Sequence, residues 1–249
     1  EMTSSLVGSE MCIRDSDKTG LSRCYNIMSQ IYTIKRFDSM AFEWRLKEIE
    51  LTEKYKIENY NISQTYAQIA NYYINQKKQK EALAAVEKAI ATANSSTQQI
   101  SAKLEFVNYY SKFGDFQAAE KLLKECQAAF EQDKRLESIK KRLYNIECLY
   151  YQQTKQYQKA LEAAKMQEKE ERRLSESILS SIHYRTQGEI YQKMGNMNLA
   201  VKYLQMYINT DDSLKIANEQ VASSEFATLL NVEKLNAEKK ELMLQAQEK

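Results

Sequence analysis

The sequence predicts an all-α solenoid: five helix hairpins followed by a long C-terminal helix. Three observations carry this. A tyrosine followed nine positions later by an alanine occurs five times, at Tyr32/Ala41, Tyr73/Ala82, Tyr110/Ala119, Tyr151/Ala160 and Tyr191/Ala200. The alanines step by 41, 37, 41 and 40 residues, so the repeating unit is near forty residues, within the range of helical repeats. Across 249 residues there is no proline and there are five glycines, while Ala, Leu, Glu, Lys and Gln fill the long segments. Apolar residues recur at three- and four-residue steps, and no stretch alternates as a half-buried strand would.

The first unit runs from about Leu21 to Leu51. Tyr25, Met28, Ser29 and Tyr32 mark one helix face, and Ala41, Trp44 and Leu46 the next. In the second unit Tyr66, Ile69, Ala70 and Tyr73 lead to Ala82, Val86 and Ala89. A polar joint from Thr92 to Thr97 precedes the third, where Phe106, Val107 and Tyr110 are followed by a Gly114-Asp115 turn and then Ala119, Leu122, Leu123 and Cys126. The turn glycine supplies left-handed backbone that ends a helix. The fourth unit carries Tyr144, Cys148 and Tyr151, then Ala160 and Ala164, with a charged tail from Glu168 to Arg173 that reads as a solvated helix face. The fifth has Tyr184, Gly188 and Tyr191, a turn at Gly195-Asn196, and then Ala200, Leu204 and Tyr207.

Composition restricts the function classes. Thirty-six basic and thirty-four acidic residues give a net charge of +2, with the signs interspersed, which is no nucleic-acid footprint. Cys12, Cys24, Cys126 and Cys148 form no C-x-x-C pair and no zinc or disulfide spacing, so they read as packing residues. The single histidine, His183, reads as structural. No stretch has the ~20 apolar residues of a membrane-spanning helix. Metalloprotease, phosphate-loop, dinucleotide and nucleophile-elbow motifs do not occur, so no catalytic, cofactor-binding or metal-binding residue is assigned and no cofactor is expected.

The pattern aromatic-x3-small-x2-Tyr-x8-Ala-x3-apolar resembles the tetratricopeptide repeat over roughly Leu21 to Asp211. Small residues at Ser29, Ala70, Cys148 and Gly188 would let the first helix of each pair approach the second, and the tyrosines would fill the space between pairs. Val107 occupies the small position of the third unit, and the repeat's closing proline is missing. The resemblance implies a right-handed superhelix whose first helices line a concave groove. Positions five and nine of each unit would face a ligand: Asn26 and Gln30, Ala67 and Asn71, Leu104 and Asn108, Asn145 and Leu149, Arg185 and Glu189. Side-chain amides can bond a peptide backbone as donor and acceptor. A protein or peptide ligand is therefore expected at Asn26, Gln30, Asn71, Asn108, Asn145, Arg185 and Glu189, while Tyr32, Ala41, Tyr73, Ala82, Tyr110, Ala119, Tyr151, Ala160, Tyr191 and Ala200 hold the repeats together. The basic clamp with which chaperone-binding members hold a terminal carboxylate has no counterpart: those positions read Asn26, Gln30, Gln68, Ser101 and Glu105.

Three segments follow from this reading. Residues 1–16 are expected to be a non-native, adaptor-derived or disordered segment, because Ser5 to Ser16 resembles a translated sequencing adaptor: Glu10 to Ser16 back-translates to GAG ATG TGT ATA AGA GAC AGN, like the mosaic end of a tagmentation transposon. Residues 17–211 hold the five helix pairs. Residues 212–249 form a C-terminal helix beyond an Asp211-Asp-Ser213 cap, in which Leu214, Ala217 and Val221 continue a capping face. Val232, Leu235 and Leu242 then make a short coiled-coil seam that would permit self-association. Five repeats followed by this helix resemble the input region of bacterial tetratricopeptide sensor kinases, which implies a signal-transduction protein anchored in the cell envelope. The alternative is a free-standing cytoplasmic adaptor that binds a peptide or partner helix in its groove.

Overall fold

The computed structural model describes residues 18–35, 37–174 and 181–210. The adaptor-like stretch and the helix expected over 212–249 lie outside these residues. The architecture is all-α, a tetratricopeptide-like solenoid of five successive hairpins. They are α1 (Lys18–Ile34) with α2 (Asp38–Tyr55), α3 (Ile62–Asn75) with α4 (Gln79–Ala91), α5 (Ser96–Phe113) with α6 (Phe116–Gln132), α7 (Lys140–Gln153) with α8 (Tyr157–Leu174), and α9 (Ser181–Lys193) with α10, which begins at 197 and continues through 210.

The tyrosine-alanine spacing has a backbone cause. In all five units the tyrosine carbonyl accepts the N–H of the residue five positions on, and that residue's own carbonyl accepts the N–H of the repeat alanine. The first set of bonds is Phe37 to Tyr32, Lys78 to Tyr73, Asp115 to Tyr110, Gln156 to Tyr151 and Asn196 to Tyr191, at 2.8–3.0 Å. The second is Ala41 to Phe37, Ala82 to Lys78, Ala119 to Asp115, Ala160 to Gln156 and Ala200 to Asn196, at 2.9–3.1 Å. One pivot residue thus ends one helix in a Schellman-type closure and starts the next. The closure needs left-handed backbone just before the pivot. It is found at Gly114 (φ 90°) and Gly195 (φ 78°), and also at Lys77 (φ 58°) and Lys155 (φ 60°), where a side chain occupies a conformation that favours glycine.

The alanines sit where the two helices of a pair cross. Ala41, Ala82, Ala119 and Ala160 are wholly buried and Ala200 nearly so. Gly188 does the same work from the other helix, since a methyl group there would stand 2.8 Å from Leu204 Cγ and 3.3 Å from the Leu204 backbone nitrogen. The core forms three clusters along the solenoid: one around Ile69, Ala70, Ile74 and Val86, one around Leu104, Val107, Leu123 and Ile146, and one around Cys148, Leu161, Ala164 and Ile190. Tyr110 packs against both the first and second clusters, and Tyr151 against both the second and third.

Several expectations change in detail. The joint expected to Thr97 is shorter, because Ser95 caps α5 by accepting the Gln98 N–H at 3.2 Å, so the helix starts at Ser96. The long repeat arises from second helices of 17 and 18 residues in α6, α2 and α8, and from a 3₁₀ turn at Lys134–Ile139; the 37-residue step belongs to the 13-residue α4. Leu46, expected on the inner face of α2, is exposed, and the buried positions are instead Ala41, Arg45, Glu48, Ile49 and Thr52. The tail from Glu168 is not a uniformly solvated face. Glu170 is buried, Glu168 accepts from Gln187, and Glu171 bonds both His183 and Lys141.

Candidate functional site

The first helices α3, α5 and α7 lie side by side, and between them runs a trough made of three linked cavities. The central one, about 240 Å³, is lined by Asn71, Asn75, Asn108, Ser111, Lys112, Asn145 and Gln153, with Ile74 and Leu149 as its apolar wall. Three consecutive repeats each give it an asparagine: Asn71 from α3 and Asn108 from α5 at position nine of their units, and Asn145 from α7 at position five, one helical turn earlier. The sequence singled out all three, and the fold brings them together.

Asn145 also borders a larger cavity of about 680 Å³ at the N-terminal ends of these helices, lined by Gln64, Ala67, Ser101, Lys141, Arg142 and Ile182 among others. Asn71 and Asn75 border a third, about 250 Å³, toward α1 and α2, with Thr33, Asp38, Arg45, Gln68 and Gln76. Shared lining residues make the three cavities neighbours, from Arg45 at one end to Lys141 and Arg142 at the other.

The walls of this trough are held by buried polar contacts. Glu105, 3 % exposed, accepts from Arg142 Nη2 at 2.5 Å and from Asn108 Nδ2 at 3.4 Å, joining α5 to α7. Arg142 Nε is sealed from solvent without a hydrogen-bond partner. At the far end Lys141 Nζ lies 3.1 Å from Glu171, which is also hydrogen-bonded to buried His183. Burial alone would raise the Glu171 carboxyl, but the bonds from His183 and Lys141 outweigh it and hold the pKa below its ordinary value. His183 is thus a packed, bonded residue between α8 and α9.

The remaining expected positions fall elsewhere. Asn26 donates to Glu48 at 3.3 and 3.4 Å and accepts from Gln30, so both amides are engaged inside the first hairpin. Asn26 borders a separate cavity of about 410 Å³ with Glu48, Asn59 and Tyr60. Arg185 and Glu189 pair with each other at 2.8 Å and border none of these cavities. Leu104, expected to face a ligand, is wholly buried in the second core cluster.

Two buried charges near the trough carry no sequence assignment. Glu48, 1 % exposed, accepts from Asn26, Asn59 and Thr65; burial pushes its carboxyl up, and those bonds with nearby Arg45 partly offset it. Arg45, 7 % exposed, donates from Nε to Gln68 Oε1 at 2.7 Å and from Nη2 to Thr33 Oγ1 at 2.5 Å. Burial lowers its pKa, while Asp38 and Glu48 act in the opposite sense. A signal for Arg45 was present: the repeat places an apolar or small residue four positions after its alanine, at Val86, Leu123, Ala164 and Leu204, and the first unit has Arg45 instead.

Among the described residues no cluster of three or more His, Cys, Asp or Glu side chains could hold a metal ion, and no helix is long and apolar enough to cross a membrane. Cys24, Cys126 and Cys148 are free thiols, and burial pushes those of Cys126 and Cys148 up to about 11.

No protein-family model matches the chain, and comparison with curated proteins gives no match. Solved structures do match. The crystal structure of BtubC from P. vanneervenii superposes with a TM-score of 0.50 at 14 % identity, over 86 % of this chain and 90 % of that one. The anaphase-promoting-complex hetero-tetramer Cut9–Hcn1 gives a TM-score of 0.57 at 12 % identity, over 84 % of this chain and 37 % of that one. At such identities the likeness is one of fold, an α-solenoid of stacked hairpins.

Proposed function

We propose that the chain is a non-catalytic binding scaffold that holds an extended segment of a partner protein in the trough between α3, α5 and α7. The observation that carries this is that Asn71, Asn108 and Asn145, one from each of three neighbouring first helices, border the same cavity. Helices pack about 8–10 Å apart, so amides on neighbouring helices would meet an extended chain, which rises about 3.4 Å per residue, at about every third peptide group. The finer reading is the input region of an envelope-anchored bacterial signalling protein, in which ligand binding biases the C-terminal helix. It is supported by the sequence of residues 212–242 alone, and a coding sequence that continues past Lys249 into an apolar span and an output domain is its test.

The binding reading is tested with a displayed library of random twelve-residue peptides, selected on the full chain. Selected peptides should lose at least about tenfold in affinity to the Asn71→Ala/Asn145→Ala variant, whose melting temperature should stay close to that of the parent. A library that yields no binder, or binders indifferent to both asparagines, would overturn it.

A further inference from the structure

Arg45 stands out among the buried groups. It replaces the apolar residue of the repeat, and it is almost fully withdrawn from water. Yet no carboxylate of the described residues lies within ion-pair distance of it, and its two hydrogen bonds go to neutral acceptors, Gln68 Oε1 and Thr33 Oγ1. A guanidinium presents five N–H groups in a planar fork, and withdrawing it from water without a carboxylate costs free energy that two neutral bonds recover in part. Arg45 Nη1 has no hydrogen-bond partner among the described residues. It is not among their sealed unpartnered atoms either, so it keeps some exposure, and Arg45 is one of the residues that border the cavity of about 250 Å³. Around that cavity stand Gln68, Asn71, Asn75 and Gln76, all able to donate, and one acid, Asp38, at the exposed start of α2.

We propose that Arg45 is the charged anchor of the trough, receiving a side-chain carboxylate of an extended acidic peptide whose backbone runs past Asn71 toward Asn145. This rests on the binding reading above and adds the chemistry of the ligand to it. The sign of the charge selects the occupant: a basic peptide would meet an unpaired guanidinium, an apolar one would leave it unpaired, and an aspartate or glutamate supplies two oxygens to which a guanidinium fork donates. Gln68 and Thr33 fix the plane of the fork in advance, so little side-chain freedom is lost on binding. Lys141 and Arg142 at the opposite end already have Glu171 and Glu105 as partners, so of the two ends Arg45 is the one without a carboxylate partner among the described residues, while Lys112 borders the central cavity between them.

The test uses peptides selected as above on the full chain, each resynthesised with its acidic residues changed singly to the amide. One Glu→Gln or Asp→Asn change should weaken binding to the parent protein by about thirtyfold or more, and should have little effect on Arg45→Gln, which itself binds the unchanged peptide correspondingly weakly. Should Arg45→Gln fail to fold, Asp38→Asn serves instead. It removes the carboxylate that borders the same cavity and should tighten the acidic peptide about two- to threefold while leaving its amide analogue unchanged. Binders without a common acid, or an acid whose removal costs the same in the parent and in Arg45→Gln, would overturn the anchor. Loss of binding in Asn71→Ala/Asn145→Ala would meanwhile preserve the trough. Indifference to all of these variants would overturn both. A phosphoserine in place of the essential acid with undiminished binding supports the anchor, because both anions satisfy the same fork.

Discussion

At the residue scale, the repeat alanine is a steric requirement and its neighbours are not. Ala119 is wholly buried at the crossing of α5 and α6, two residues before Lys121 on the exposed face of the same helix. Leucine at 119 must push the two helices apart or adopt a strained rotamer, which costs about 1–3 kcal/mol. Leucine at 121 adds a side chain where there is room, with an effect within about 0.5 kcal/mol. Urea denaturation of Ala119→Leu and Lys121→Leu measures both, and equal midpoints would show that the helix register is wrong. The neighbouring turn tolerates more variety than its geometry suggests. Lys77 and Lys155 adopt the left-handed backbone that Gly114 and Gly195 adopt without strain, and the hydrogen bonds on either side are equally short in all four units. The cost of a side chain there is borne by the closure around it.

At the element scale, the hairpins could be read from the sequence because their spacing is set by a local backbone closure. The alanine stands nine positions after the tyrosine since one pivot residue must bond both ways. What joins the hairpins to each other could not be read so well. Glu48, Glu105 and Arg142 look like any charged helix residue, and their partners in the neighbouring hairpin lie 17 and 37 positions away for the Thr65–Glu48 and Glu105–Arg142 contacts. Glu171 was read as solvated for the same reason, though it faces α9. Asparagines fared better: Asn71 and Asn108 repeat with the unit and Asn145 stands one turn earlier in its own, whereas Asn26, at the position of Asn145, is diverted by Glu48, a partner no other unit has. The joint after α6 illustrates a charge with a local role. Asp133 caps the 3₁₀ turn by accepting the Arg135 N–H, grips the Arg135 side chain, and accepts from Ser96 Oγ at 3.2 Å across to the start of α5. The Arg135 side-chain bonds, followed by the backbone bond, hold its carboxyl down at about 2 against an ordinary 3.8. A depressed carboxyl stabilises the fold above its unfolded pKa and loses that contribution as pH falls through the folded value. Asp133→Asn should therefore melt below the parent at pH 7, and the gap should close between about pH 4 and pH 2. A gap that persists at pH 2 would rule out the ionised carboxylate as its source.

At the scale of the whole molecule, a solenoid has no single core, and its cooperativity depends on what couples neighbouring units. Here the three apolar clusters overlap through tyrosines of the repeat itself, with Tyr110 shared by the first two and Tyr151 by the last two. Tyr151 also carries structural load at close range, since its ring lies 5.4 Å from that of Tyr150 and under the Lys159 ammonium at 5.5 Å. Removing that ring should have two separable consequences. The fold should lose about 2–4 kcal/mol from the missing apolar contact. More specifically, the hairpins α7–α8 and α9–α10 should lose part of their coupling to α1–α6, so that unfolding of Tyr151→Ala in urea separates into two transitions, or broadens with a lower apparent m-value, where the parent unfolds in one. Tyr73→Ala is the control. Tyr73 packs against the first cluster alone, so its loss should lower stability at an unchanged slope. If both variants lower the midpoint with the parent's slope, the coupling between clusters runs through the buried ion pairs and not through the tyrosines.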